Sequence, residues 1–476
     1  MRGFQTFNPQ LNDFNPIKYC SSTYEEVELA LEKSQKAFLS YSKTSPTLRS
    51  ELLLQIAQEL GTAKPTIEAF YCSESGLSKA RFEVEFTRTI FQLTSFSDFL
   101  LNNWKQLETF TPASQNLPSL RKTPRAIGPV LVMGSSNFPL AYSTIGGDSV
   151  AALAAGCPVI VKAHSMHVGT SLEVSNCILS ALRKLRLEEG IFQHLIDDGF
   201  EVATQLITDA RIQAVGFTGS ILGGRAIMDL ASKRKSPIPV FAEMGSANPV
   251  VFLENGFEEK INHFAPLFAG SICNDAGQFC TKPGLFFIPK SEQGNQLTTR
   301  LIEEVIEHSS FYMLHPSIQN KFELLKKERE SLAANSLIEK KGQLEPLQGR
   351  QAILQIDAKE FLAHNQLQEE VFGPFALIVS YENSVELKTC LAKLEGQLTG
   401  TIVGDSSKSP DFDEVVDLLS LKVGRLILNG IPTGVRVDQT MHHGGPYPAS
   451  SDSRFTAVGT QSITRFLRNI TFQNFD

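Results

Sequence analysis

Ala126-Ile127-Gly128-Pro129-Val130-Leu131-Val132-Met133-Gly134-Ser135-Ser136-Asn137-Phe138-Pro139 is the stretch from which the fold of this chain is read. Its apolar first half, 126–133, predicts a buried strand. The small polar residues after it predict a loop, followed by an Ala-rich helix ending near Ala155. Outward from there, 158–161, 192–196 and 212–217 read as further strands, separated by helical patterns at 169–185 and 202–207. Strands alternating with helices predict a doubly wound parallel sheet, an α/β fold. Such sheets bind ligands beyond the carboxyl ends of their strands. The loops at 135–137, 162–165 and 219–220 all fall on that edge.

The segment upstream reads as helical. Ser22-Thr23-Tyr24-Glu25 predicts a capping box before a helix that buries Val27, Ala30, Leu31 and Phe38. Two more helices are expected near 48–60 and 82–101, the second carrying Arg88 and Gln92. Downstream, 248–253, 285–288 and 375–379 read as strands of a second α/β unit, and 463–466 as helical.

With 476 residues, 42% hydrophobic and 20% charged, the chain has enough material for two or three globular domains. Its net charge of -7 argues against general attraction to nucleic acid or an anionic membrane. No apolar run approaches the ~20 residues of a membrane span. Met1-Arg2-Gly3-Phe4-Gln5 has no signal-peptide pattern. Seven scattered cysteines without a CxxC pair fit a reducing cytoplasm. Cys273 and Cys280 have no nearby His or second Cys to complete a zinc-ligand spacing, so no metal is expected.

Chemistry concentrates elsewhere. In Gly277-Gln278-Phe279-Cys280-Thr281-Lys282-Pro283-Gly284 a cysteine sits among residues that make a poor core strand, with Lys282 beside it to favour the thiolate. Glu243 ends the apolar Val240-Phe241-Ala242 and is a candidate base for activating water. Asn137, between strand and helix, can aim an amide at a developing oxyanion. Gly219 and Ser220, in Phe217-Thr218-Gly219-Ser220-Ile221-Leu222-Gly223-Gly224, can meet a phosphate at a helix N-terminus.

These motifs resemble the aldehyde dehydrogenase superfamily in order along nearly the whole chain. Val161-Lys162-Ala163-His164 and Glu370-Val371-Phe372-Gly373-Pro374 complete the set. The resemblance implies a Rossmann-like cofactor domain (1–107 and 127–242), an α/β catalytic domain (243–443) and a small β oligomerisation arm (108–126 and 463–476). Residues 444–462 would return to the cofactor domain and substrate tunnel. It implies NAD or NADP as cofactor, an aldehyde as substrate and a homodimer or homotetramer. It further implies Cys280 as nucleophile, Glu243 as base, Asn137 at the oxyanion, and Lys162, Ser165, Gly219, Ser220, Glu370 and Phe372 at the cofactor. Ser165 replaces the usual acidic residue three places after the ribose lysine, leaving NADP open, while Glu201 can still repel a 2′-phosphate. The β-hairpin that often opens the family is expected to be largely missing.

Asn429-Gly430-Ile431-Pro432-Thr433-Gly434-Val435 and His443-Gly444-Gly445-Pro446-Tyr447-Pro448-Ala449 are similar to the branch that oxidises α-ketoglutaric semialdehyde. Such a substrate carries a carboxylate, for which Arg88 and Arg436 are the candidate cations, with Gln92, Phe138 and Phe279 shaping the tunnel. The alternatives are a long-chain fatty aldehyde dehydrogenase and a non-redox thiol esterase pairing Cys280 with His442 or His443.

Overall fold

The computed structural model describes residues 3–257 and 260–475. Met1, Arg2 and Asp476, which the expected domain boundaries include, lie outside the described residues, as do Glu258 and Glu259. Four sheets organise the described residues. Two of them, one of five strands and one of seven, place the chemistry.

The five-stranded sheet is wholly parallel. Its spatial order is Phe192–Leu195, Val159–Lys162, Val130–Met133, Ala214–Thr218, Val240–Glu243. The chain order therefore reverses at Val130–Met133, the switch point where such sheets open a ligand crevice. Residues alternate faces along each strand. Val130, Val132, Val159 and Val161 enter a core with the helices Pro46–Ser75, Lys79–Asn102, Gly147–Ala155 and Val168–Lys184. Leu131, Met133, Ile160 and Val215 enter the opposite core with Tyr24–Tyr41, Glu201–Thr208 and Ile221–Ser232. Burial on both faces is why these strands read as continuous apolar runs.

The seven-stranded sheet runs Ile338–Glu339, Ala352–Asp357, Phe375–Tyr381, Leu285–Pro289, Pro249–Phe252, Gln397–Val403, Val423–Leu428. Only its first pair is antiparallel. Val251, Phe287 and Leu377 face one core, and Val250, Phe286 and Ile378 the other. A three-stranded antiparallel sheet joins Leu467–Gln473, Leu120–Ala126 and Thr109–Thr111. Among the described residues, no helix is long and apolar enough to cross a membrane.

Four expectations change. The opening hairpin is present: Gly3–Asn8 pairs with Asp13–Cys20. The capping box lies one residue later. Thr23 Oγ1 accepts from Glu26 N (3.2 Å) and Glu26 Oε2 accepts from Thr23 N (2.8 Å), because Ser22 Oγ is taken by Ile196 N. The helix expected near 48–60 is Pro46–Ser75; it continues through Gly61 and Pro65 because Ile67 and Tyr71 fill the core. The run 126–133 is not one strand. Leu120–Ala126 and Val130–Met133 belong to different sheets, with Gly128 between them at φ 139°, where a Cβ would meet Gln213 Cγ at 2.3 Å.

Candidate active site

Three side chains from distant segments converge. Glu243 is the last residue of Val240–Glu243 and is buried. Its backbone is fixed on two sides, by a bridge to Ser450 and by Gly219 N donating to its carbonyl (3.1 Å). Both its carboxylate oxygens are buried without an aligned donor among the described residues, although Oε1 lies 2.9 Å from His443 Nε2. His443, also buried, lies 3.8 Å through Nε2 from Cys280 Sγ.

Cys280 is held by an unusual backbone. Asp275, Ala276 and Gly277 all have positive φ (49°, 55° and 64°). Left-handed conformations at non-Gly positions cost on the order of 1 kcal/mol or more, so the surroundings must enforce them. A Cβ at Gly277 would lie 2.5 Å from Gly373 O and 2.6 Å from Ile272 O, which excludes other residues there. Arg81 Nε donates to Asp275 Oδ2 (2.9 Å), and its guanidinium lies over the rings of Phe138 and Phe279. Buried Asn248 donates from Nδ2 to the carbonyls of Cys280 (2.8 Å) and Lys282 (2.9 Å). Burial first, then the Glu243 carboxylate and Glu370, pushes the Cys280 thiol well above its usual range, while the Arg88 cation works the other way.

Asn137 follows the switch-point strand and donates from Nδ2 to Gln278 O (2.9 Å), two residues before the thiol. An amide carries two donors, so one N–H is left for another acceptor. Phe138 packs edge-on against Phe279 (5.7 Å) and Tyr142 (5.2 Å). Arg88 Nη2 donates to Tyr142 Oη (2.9 Å), whereas Arg88 Nη1 and the Nε2 of buried Gln92 have no partner among the described residues.

The cofactor candidates occupy the carboxyl edge of the sheet. Lys162 ends Val159–Lys162; burial lowers its pKa, opposed by Asp197, Asp198 and Glu201. Ser165 opens the short helix Ser165–His167, and Ser220 caps Ile221–Ser232 by accepting from Gly223 N (3.2 Å), with Gly219 before it. Half-buried Glu370 reaches over Gly245, where a Cβ would lie 2.4 Å from Glu370 Oε2; half-buried Phe372 follows. Anchors after two strand ends, one of them at a helix N-terminus, with Glu370 reaching over Gly245, suit a dinucleotide with ribose hydroxyls and a pyrophosphate.

A sequence model described as "Aldehyde dehydrogenase family" matches residues 2–312. An α-ketoglutaric semialdehyde dehydrogenase of Acinetobacter baylyi is 38% identical over 97% of this chain and 89% of its own length. A second, from Azospirillum brasilense, is 37% identical over 94% and 87%. The chain belongs to the aldehyde dehydrogenase family. It oxidises an aldehyde with a nicotinamide cofactor, NAD or NADP. The solved structure of a 1-pyrroline-5-carboxylate dehydrogenase from Thermus with bound NAD shares the fold at a TM-score of 0.83, with 19% identity over 99% of this chain and 90% of that one.

In this aldehyde dehydrogenase, two expectations fail on geometry. Lys282 does not act on Cys280: its Nζ donates to Val371 O (3.1 Å) and Phe375 O (2.8 Å), deep in the core. Arg436 is not brought to the cluster; its side chain is 81% exposed and pairs with Asp438 (3.4 Å). Arg425 stands nearer the chemistry: the charges of Cys280 and Tyr142 bear on it, and its buried Nε has no partner among the described residues. The sequence offers His443 only as the partner in a thiol esterase. The motif His443-Gly444-Gly445 was its only sequence signal, and the sequence gives no distance to Cys280.

Proposed function

We propose that this enzyme oxidises α-ketoglutaric semialdehyde to 2-oxoglutarate. The observation that carries the reading is Arg88, whose Nη2 is held by Tyr142 beside Cys280 while Nη1 is left without a partner among the described residues, a donor that a substrate carboxylate can satisfy, with Gln92 one helical turn further along the same helix. The names of the two relatives above agree with it.

Cys280 Sγ attacks the aldehyde carbon. The thiol proton passes through His443 Nε2, which lies within reach of both Sγ and Glu243, and is given up to solvent before deacylation, leaving Glu243 ionised. The free N–H of Asn137 and the Cys280 amide hold the oxyanion; one such donor contributes about 2.7–4 kcal/mol. A nicotinamide held by Lys162, Ser220, Glu370 and Phe372 would supply the hydride acceptor needed to oxidise the Cys280 thiohemiacetal to a thioester. Glu243 then takes a proton from water, the water oxygen attacks the acyl carbon, and the C–S bond breaks to release the acid.

Residues 1–107 and 127–242 form the cofactor domain in this reading, and 243–443 the catalytic domain. Lys162, Ser165 and Glu370 serve the riboses, Gly219 and Ser220 the pyrophosphate, and Phe372 the nicotinamide ribose. The negative charge that Asp197, Asp198 and Glu201 place at Lys162 disfavours a 2′-phosphate, so NAD is expected to outpace NADP. Phe138 and Phe279 form the tunnel wall. The three-stranded arm, with Phe110, Leu117 and Leu120 exposed and an open strand edge, supports a homodimer or homotetramer built through 108–126 and 463–476.

The test is the rate of NADH or NADPH formation with a panel of aldehydes. The semialdehyde is expected to give the highest kcat/KM; faster turnover of decanal than of any carboxylated aldehyde overturns the reading.

A further inference from the structure

We propose that Cys280, His443 and Glu243 together form a three-ligand site for Zn²⁺, through which the metal reversibly switches the enzyme off. The site uses the residues of the proposed mechanism and so rests on that reading. One potential ligand atom from each residue lies within 4.8 Å of the others. Zinc bonds thiolate sulfur at ~2.3 Å, imidazole nitrogen at ~2.0–2.1 Å and carboxylate oxygen at ~2.0–2.2 Å in tetrahedral geometry. Those lengths place S and N ~3.6 Å apart, and N and O ~3.3 Å apart, on a tetrahedral edge. The observed separations, 3.8 Å for Sγ to Nε2 and 2.9 Å for Nε2 to Oε1, match two of the three edges to within about half an ångström, and the third lies within the 4.8 Å spread of the cluster.

The Glu243 carboxylate points independently to a ligand. The side chain is 97% buried, and neither oxygen has an aligned donor among the described residues. Its polar neighbours are the other two residues of the cluster, His443 Nε2 at 2.9 Å and the Cys280 thiol, and a cation among the three satisfies a buried carboxylate more fully than either. A thiolate and a carboxylate balance the charge of a dication. Sulfur and imidazole ligands select zinc-like metals over Mg²⁺ or Ca²⁺, which take oxygen donors. Three protein ligands leave the fourth corner for water or the aldehyde oxygen. Binding exchanges one proton for the metal: the S–H bond breaks, the S–Zn bond forms, and the proton is released to solvent. With Sγ held by the metal, no nucleophile remains for the aldehyde. The ligands come from three segments, with Cys280 and His443 separated by 163 positions, so no local spacing reveals the site.

Cobalt(II) is the spectroscopic probe. Titration of the whole, cofactor-free enzyme with CoCl₂ is expected to give the intense visible bands of tetrahedral cobalt and a thiolate-to-metal charge-transfer band. Cys280→Ser is expected to remove the charge-transfer band. His443→Gln is expected to weaken cobalt binding at least about tenfold, since losing even an outer-sphere partner costs metal sites 10–100-fold. In turnover assays ZnCl₂ is expected to inhibit, EDTA to restore the rate, and MgCl₂ to do nothing. A weak octahedral spectrum overturns the proposal, as does a thiolate band that both His443→Gln and Glu243→Gln leave unchanged, or inhibition that EDTA cannot reverse. The cobalt spectrum needs no turnover, so its failure is distinguishable from failure of the dehydrogenase reading.

Discussion

Replacing Arg88 with Met keeps much of the apolar stem of the side chain and removes the guanidinium. In the structure Nη2 is held by Tyr142 and Nη1 is left without a partner among the described residues, so a substrate carboxylate gains a donor whose orientation Tyr142 already fixes. Truncating one partner of a buried, hydrogen-bonded charge pair costs about 2–5 kcal/mol. Arg88 is only half-buried, so the lower part of that range, about 2–3 kcal/mol, applies. At 1.36 kcal/mol per tenfold, kcat/KM for α-ketoglutaric semialdehyde is expected to fall about 30- to 160-fold. The same cation also favours the Cys280 thiolate, so some loss extends to every aldehyde. Butanal, without a carboxylate, reports that shared part. The assay is therefore the ratio of the two kcat/KM values in wild type and Arg88→Met, followed by NAD(P)H absorbance. Equal loss on both substrates refutes a carboxylate at Arg88.

Three further outcomes follow from the same geometry. Asn137→Ala is expected to lower kcat about 10²- to 10³-fold with the fold intact by circular dichroism, since one oxyanion donor is removed. Because burial and Glu243 raise the Cys280 thiol, kcat/KM is expected to rise with pH through the neutral range as the thiolate forms; Arg88→Met should displace that rise to higher pH. In Gly245→Ala the new Cβ meets Glu370 Oε2 at 2.4 Å and pushes the carboxylate aside, so KM for the cofactor is expected to rise several-fold with little change in Tm.

Much of this site lies in contiguous motifs at strand ends, which is why it is legible in the sequence. Asn137 follows the fully buried run Val130–Met133, Glu243 ends the partly buried apolar run Val240-Phe241-Ala242, and Cys280 stands out because its neighbours make no core strand. What the sequence conceals is set by tertiary packing. Arg436 and Arg425 look alike in the sequence, yet one pairs with Asp438 in solvent and the other is held against the carbonyls of Gly434 and Pro432. Lys282 is two residues from the nucleophile but is drawn into the core by two carbonyls. His443 reaches the thiol only because the return segment lies against Glu243, through Met244 N to Ala449 O (2.8 Å). Within the fold, the apolar run 126–133 conceals a change of sheet at Gly128, which only its positive φ and the nearness of Gln213 explain.

The central claim is that the aldehyde carbon becomes covalently attached to Cys280 and that Glu243 releases it. Mixing Glu243→Gln enzyme with NAD and α-ketoglutaric semialdehyde, quenching in acid, and weighing the proteolytic peptides by mass spectrometry tests it directly. An acyl adduct on the Cys280 peptide, formed together with about one equivalent of NADH per active site and then persisting, is the predicted result. An unmodified Cys280 peptide after NADH has formed would contradict the account.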